Sequence, residues 1–233
     1  MTNGSTPAGP RILVLGRPGS GKGTQCGRLA ERLGVPHIST GELFRGTVAD
    51  DTPLGRVVRG YIEAGELVPD DLVLDVVADR LGPDGAARGF VLDGFPRTIP
   101  QAEQLGDLLD PYALDLALDL DVPADVARVR LATRLVCGDC GRSIGTGAGT
   151  SPACGDCGGS VEERADDDAS TVARRLAIYD RTTAPLVEWL DQRELLVRIE
   201  GLGPPDVVAA RIDTACDEYL FADSESDSRD LAH

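Results

Sequence analysis

Lysine is nearly missing from this chain. Among 233 residues there is one, Lys22, against 22 arginines, 27 aspartates and 12 glutamates. The resulting net charge of −16 argues against a nucleic-acid binder, because affinity for phosphate backbones rests on Lys and Arg. Aromatic residues are scarce, at 4 %. No apolar run approaches the roughly 20 residues needed to cross a bilayer, so no membrane partner is expected. The stretch Met1–Pro10 has no apolar core of an export signal, and the expected location is the cytoplasm. What remains is ordinary globular material, 42 % hydrophobic and 27 % charged. So acidic a chain repels itself in dilute buffer, and molar salt shortens the Debye length to about 3 Å and removes that repulsion. The composition therefore predicts a salt-loving source; an acidic protein from an arginine-preferring genome is the blander reading.

The hydrophobic pattern alternates between short apolar runs and helical periods. Arg11–Leu15, His37-Ile38, Phe90–Leu92, Leu116–Leu118 and Leu195–Ile199 read as buried strands. Helices are expected over about 40–49, 53–64, 69–81, 99–109, 123–135, 168–192 and 204–221, with another from about Gly21 to Leu33. Such alternation implies an α/β fold, a parallel sheet covered by helices on both faces. Two segments break the rhythm. Residues 40–69 hold helices but no strand and read as a helical insertion, while 135–163 is rich in Gly, Cys, Ser and Thr and cannot supply its own core. Residues 1–10 are expected to be a flexible start and 222–233 a disordered acidic tail. The core domain then comprises 11–39, 70–134 and 164–221.

The first strand runs into Gly16-Arg17-Pro18-Gly19-Ser20-Gly21-Lys22-Gly23-Thr24-Gln25, which opens a helix. Strand, glycine-rich turn and helix start are the context of a phosphate-binding loop. Its backbone N–H groups converge on phosphate oxygens, the helix dipole adds to them, and Lys22 reaches the outer phosphates. The residue after Lys22 is Gly23 where Ser or Thr is usual, with Thr24 following. A chain that replaces lysine everywhere else has kept one where a flexible ammonium is useful.

Further motifs follow in order: Ile38-Ser39-Thr40-Gly41-Glu42-Leu43-Phe44-Arg45, Gly65-Glu66-Leu67-Val68-Pro69-Asp70, and Leu92-Asp93-Gly94-Phe95-Pro96-Arg97 through Ala102. With the phosphate loop, this series resembles the adenylate kinase family of nucleoside monophosphate kinases, over about residues 10–220. The resemblance implies Mg²⁺-dependent transfer of a phosphoryl group from ATP to AMP, giving two ADP. It implies that Gly19, Ser20, Gly21, Lys22, Gly23 and Thr24 bind ATP together with Arg130, Arg134 and the Gly203 backbone. AMP falls to Thr40, Arg45, Glu66, Leu67, Val68, Gly94, Arg97 and Gln101, residues 40–69 being the AMP-binding insertion. Arg164 and Arg175 bridge the two nucleotides, and Asp93 orients Mg²⁺ through waters. A UMP/CMP or GMP kinase is the alternative within this chemistry, and Gln101 disfavours it. The chain is expected to work as a monomer.

Cys137-x2-Cys140 and Cys154-x2-Cys157 form two matched pairs separated by thirteen residues. Four thiolates so spaced predict a closed tetrahedral Zn²⁺ site of structural type. Its binding energy would fold a segment too small to fold alone. A zinc ribbon that binds nucleic acid would need a basic face, and only Arg142 lies between the pairs. By the family resemblance, 135–163 is instead a lid over ATP. Arg130 and Arg134, four apart on one expected helical face, precede it, and Arg164 and Arg175 follow. Cys26 and Cys216 stand outside the set and read as small buried hydrophobes.

Overall fold

The computed structural model describes residues 9–144, 153–164 and 166–221. The expected flexible start, apart from residues 9 and 10, the middle of the expected lid at 145–152, and the expected acidic tail lie outside them. Strands β1 (Arg11–Leu15), β2 (His37–Ser39), β3 (Phe90–Asp93), β4 (Leu116–Asp121) and β8 (Leu196–Glu200) form a sheet in the order β2-β3-β1-β4-β8. Every pairing in it is parallel. Alternate side chains of one strand serve opposite faces. Ile12 and Val14 of β1 pack with Cys26, Leu29, Val208 and Ile212, from α1 (Lys22–Leu33) and α10 (Pro205–Phe221). Leu13 and Leu15 point the other way, into a cluster with Phe44, Val58, Val77, Leu105 and Leu186. Those residues come from α2 (Thr40–Ala49), α3 (Pro53–Ala64), α4 (Asp70–Leu81), α6 (Ile99–Leu109) and α9 (Ala184–Asp191). A sheet covered twice explains why its central strands read largely as apolar runs.

Capping sets several helix starts. Ser39, Thr52 and Thr98 each accept a hydrogen bond from the N–H three residues on, opening α2, α3 and α6. A short helix, α5 (Gly85–Arg88), lies before β3 and has no counterpart in the sequence reading.

Two expected helices differ from what forms. The one anticipated through Leu135 ends at Ala132, as α7 (Ala124–Ala132). Leu135 and Val136 are instead drawn into a small antiparallel sheet of β5 (Leu135–Cys137), β6 (Ser143–Ile144) and β7 (Val161–Glu163), ordered β6-β5-β7. Arg134 therefore stands beyond the helix end, not on one helical face with Arg130. The long helix expected over 168–192 is α8 (Ala169–Ile178), a π turn at Tyr179–Thr183, and α9. Pro185, at the second position of α9, has no N–H to continue the α ladder, and the wider turn accommodates that loss.

Candidate active site

The carboxyl ends of β1 and β3 open on a cavity of about 500 Å³. Ligands of open parallel sheets bind at this edge. The phosphate loop forms one wall. Gly19 and Gly21 hold φ of +85° and +99°, a region that L side chains seldom adopt. A Cβ at Gly19 would also come 2.5 Å from the carbonyl oxygen of Ala127, so the turn can only be this tight with glycine. Lys22 folds back, its Nζ donating to the carbonyls of Gly16 (2.6 Å) and Arg17 (3.0 Å). Burial pushes this ammonium down to about 8, with Asp93 opposing and Arg97 reinforcing the fall. Ser20 Oγ is buried without a hydrogen-bond partner.

The opposite wall comes from β3 and the helices. Arg97 Nε donates to the Gly94 carbonyl at 2.7 Å. Burial, with Arg164 next, brings Arg45 to about 10. Gln101 is pinned at both ends of its amide. Its Oε1 accepts from the Arg97 N–H at 2.7 Å, and its Nε2 donates to Asp70 Oδ1 at 2.6 Å. A flipped amide would set donor against donor and acceptor against acceptor, so Asp70 fixes its sense.

The arginines divide into two kinds. Among the described residues Arg45, Arg97 and Arg130 make no ion pair, Arg130 donating to the carbonyls of Ser20 and Gly201. Arg134, Arg164 and Arg175 are gathered by two adjacent carboxylates. Arg134 grips Asp167 with two bonds of 2.6 Å, Arg175 Nη1 reaches Asp167 at 2.9 Å, and Arg164 pairs with Asp166. Burial alone would raise the Asp166 carboxyl, but Arg164, Arg175 and Arg45 bring it below the usual range.

All residues assigned to a nucleotide line this one cavity: Gly19–Thr24, Thr40, Arg45, Glu66–Val68, Asp93, Gly94, Arg97, Gln101, Arg130, Arg134, Arg164, Arg175 and Gly203. Lys22 and six arginines thus face it, against Glu42, Glu66, Asp93 and Asp166. A cation-rich cleft in a protein of net charge −16 is built for anions.

Sequence reasoning missed several contributors. Asp70 stood only as the end of a motif, with no role of its own, and Asp166 and Asp167 were given no part. Arg17 lies 5.0 Å from the Tyr179 ring centre and pairs with Asp180. Tyr179 OH donates to Asp119 at 3.5 Å, beneath the loop. An aspartate in the buried run of β4 was the available signal for Asp119.

Away from the cavity, the Sγ atoms of Cys137, Cys140, Cys154 and Cys157 all lie within 4.8 Å of one another. Cys137 and Cys157 are 3.4 Å apart, Cys140 and Cys154 3.8 Å. Sulfurs around a tetrahedral zinc with bonds near 2.3 Å stand about 3.8 Å apart, whereas a disulfide needs about 2.05 Å. The cluster fits a structural zinc ion. The neighbouring Arg142–Asp156 ion pair spans the two knuckles.

A phosphate loop at the edge of a doubly covered parallel sheet, facing unpaired guanidinium groups across one cleft, defines a phosphotransferase. A family model described as adenylate kinase matches residues 14–195. Adenylate kinase of Clostridium tetani is 42 % identical over 195 residues, 82 % of this chain and 90 % of that one. The Bacillus subtilis adenylate kinase is 40 % identical over the same shares, and that of Streptomyces avermitilis 41 % over 86 % of this chain and 94 % of its own. The chain belongs to the adenylate kinase family. It is a phosphotransferase catalysing ATP + AMP = 2 ADP.

Proposed function

We propose that the two substrates lie against opposite walls of the 500 Å³ cavity and that the residues facing it divide the work between them. The phosphate loop, Lys22, Arg130 and Arg134 hold the ATP phosphates, and the Gly203 backbone meets its adenine. Arg45 and Arg97 hold the AMP phosphate. Thr40, the Glu66–Val68 backbone and the Gln101 amide read the AMP base. Arg164 and Arg175 sit between, where charge spreads over the transferred group. Phosphoryl transfer needs positioning and charge neutralisation more than covalent help. The observation that carries this reading is the convergence of cations from distant parts of the chain on one cavity.

Asp93 offers a hard oxygen donor beside Lys22, which suits Mg²⁺ held through waters. When bound, Mg²⁺ neutralises charge on the ATP phosphates. Zn²⁺ in the four-cysteine cluster would hold β5, β6 and β7 together, and all its ligand positions are filled by protein. The division of labour follows: 40–69 as the AMP-binding insertion, 135–163 as the lid, and 11–39, 70–134 and 164–221 as the core. Asp166 and Asp167 gather three arginines that the substrate phosphates would recruit as the lid shuts. Shutting excludes water, which would otherwise take the phosphoryl group.

A saline cytoplasm and a monomeric state belong to the same reading. The acidic, lysine-poor composition supports the first. A coupled ADP-production assay offering AMP, GMP, UMP and CMP from low to molar salt tests the whole. AMP is expected to be preferred and activity to rise with salt. Equal use of GMP would overturn the role of Gln101, and indifference to salt would remove the halophilic reading.

A further inference from the structure

Three side chains meet behind the phosphate loop in a way that nucleotide binding does not require. Cys26 on α1, His37 at the start of β2 and Asp93 at the end of β3 bring a sulfur, an imidazole nitrogen and a carboxylate oxygen within 4.8 Å of one another. Cys26 is fully buried and Asp93 nearly so. His37 Nε2 is shut off from solvent and has no hydrogen-bond partner. Buried polar atoms are almost always satisfied, so a histidine with an orphaned ring nitrogen, grouped with a thiol and a carboxylate, asks what fills the site.

We propose that Cys26, His37 and Asp93 form a second metal site, distinct from the four-cysteine cluster, that takes a borderline divalent cation such as Zn²⁺. The donor set is one sulfur, one nitrogen and one oxygen, which favours zinc or cobalt over magnesium. Three protein ligands leave a fourth position open, as in zinc sites that exchange a ligand. Donor atoms around such an ion stand about 3.3–3.6 Å apart, so the three need only draw together modestly. Asp93 lines the nucleotide cavity while Cys26 and His37 stand behind it, so the ion enters past Asp93 and its open position faces the cleft. A side chain at the position of Gly23 would narrow that approach, its Cβ falling 3.8 Å from Asp93 Oδ2. Binding replaces the Cys26 S–H bond by a metal–sulfur bond and releases the proton to solvent. The ion then claims the carboxylate assigned above to the Mg²⁺ waters, and it inhibits. That last consequence alone rests on the proposed role of Asp93.

The test uses the full chain with its four-cysteine cluster filled by one equivalent of Zn²⁺, titrated with Co²⁺. One further equivalent is expected, with a thiolate-to-cobalt charge-transfer band in the near ultraviolet. Cys26→Ala and His37→Gln should each lose at least tenfold in Co²⁺ affinity, and Cys26→Ala should lose the band. Two independent variants guard against one of them failing to fold. Added Zn²⁺ should inhibit wild-type ADP formation at least tenfold more strongly than it inhibits either variant. No Co²⁺ uptake beyond the four-cysteine cluster, or an unchanged band in Cys26→Ala, would overturn the site. A band lost in the variants without any inhibition by Zn²⁺ would keep the site and remove the magnesium role of Asp93.

Discussion

The lone lysine sets a pH limit that its surroundings predict. Burial brings Lys22 from 10.5 to about 8, Asp93 opposing the fall. In the empty enzyme about half of this charge is gone at pH 8 and about nine-tenths at pH 9. The ratio kcat/KM for ATP reports the free enzyme, so it should fall about tenfold per pH unit above 8. Bound phosphates hold the proton in place, and kcat should stay level to higher pH. Stability carries the same signature. Below pH 8 the lysine is protonated in both folded and unfolded chains, and its burial penalty is fully felt. Between pH 8 and 10.5 the unfolded chain holds the extra proton, so stability rises with pH over this window. Relative to Lys22→Met, the nucleotide-free wild type should gain about 3 kcal/mol across it. Urea unfolding over a pH series, alongside kinetics on the same samples, measures both. A flat kcat/KM to pH 10 with parallel stability curves for wild type and variant would refute the reasoning.

Arg134→Ala and Arg175→Ala should each lower kcat/KM by at least about tenfold, equivalent to about 1.4 kcal/mol, and steady-state kinetics near wild type would count against their roles. Asp70→Ala frees the Gln101 amide to flip. It should raise KM for AMP several-fold, in line with about 1 kcal/mol for a hydrogen bond, with KM for ATP unchanged. Stripping the cysteine cluster with a chelator should expose 137–160 to limited proteolysis while the five-stranded sheet stays resistant; uncut protein would show that the metal does not hold these strands.

How far the sequence could be read depended on whether the cause was local. The strands of the main sheet show as apolar runs because both faces are buried, and the phosphate loop shows because its glycines and lysine are adjacent. Leu135 and Val136 misled, because they complete a helical period but pair across the chain with Ile144, Ser143, Glu163 and Glu162. No local signal marks such pairing. The π turn was hidden for a related reason: Pro185 suits the first turn of a helix, so the sequence does not say that a helix has just ended. Site residues were legible where a motif held them. The part of Asp70 was not, though a motif holds it, since it works through Gln101, 31 residues on, and that of Asp167 was not, since it joins Arg134, 33 residues back, to Arg175, eight residues on. Asp119 shows the limit differently. Its burial raises its carboxyl and brings it to Tyr179, a meeting that depends on the register of β4 and the π turn together.

The cysteine-bearing excursion leaves and returns through neighbouring strands, Leu135 standing opposite Glu163 and Val136 opposite Glu162. Its two stems are therefore already side by side before any knuckle is built. A splice joining Val136 to Glu162 by a tight turn would spare the principal sheet, to which no described residue of the removed stretch adds a strand. A change in the size of that stretch therefore bears first on β5 and β7, and only through them on the five parallel strands.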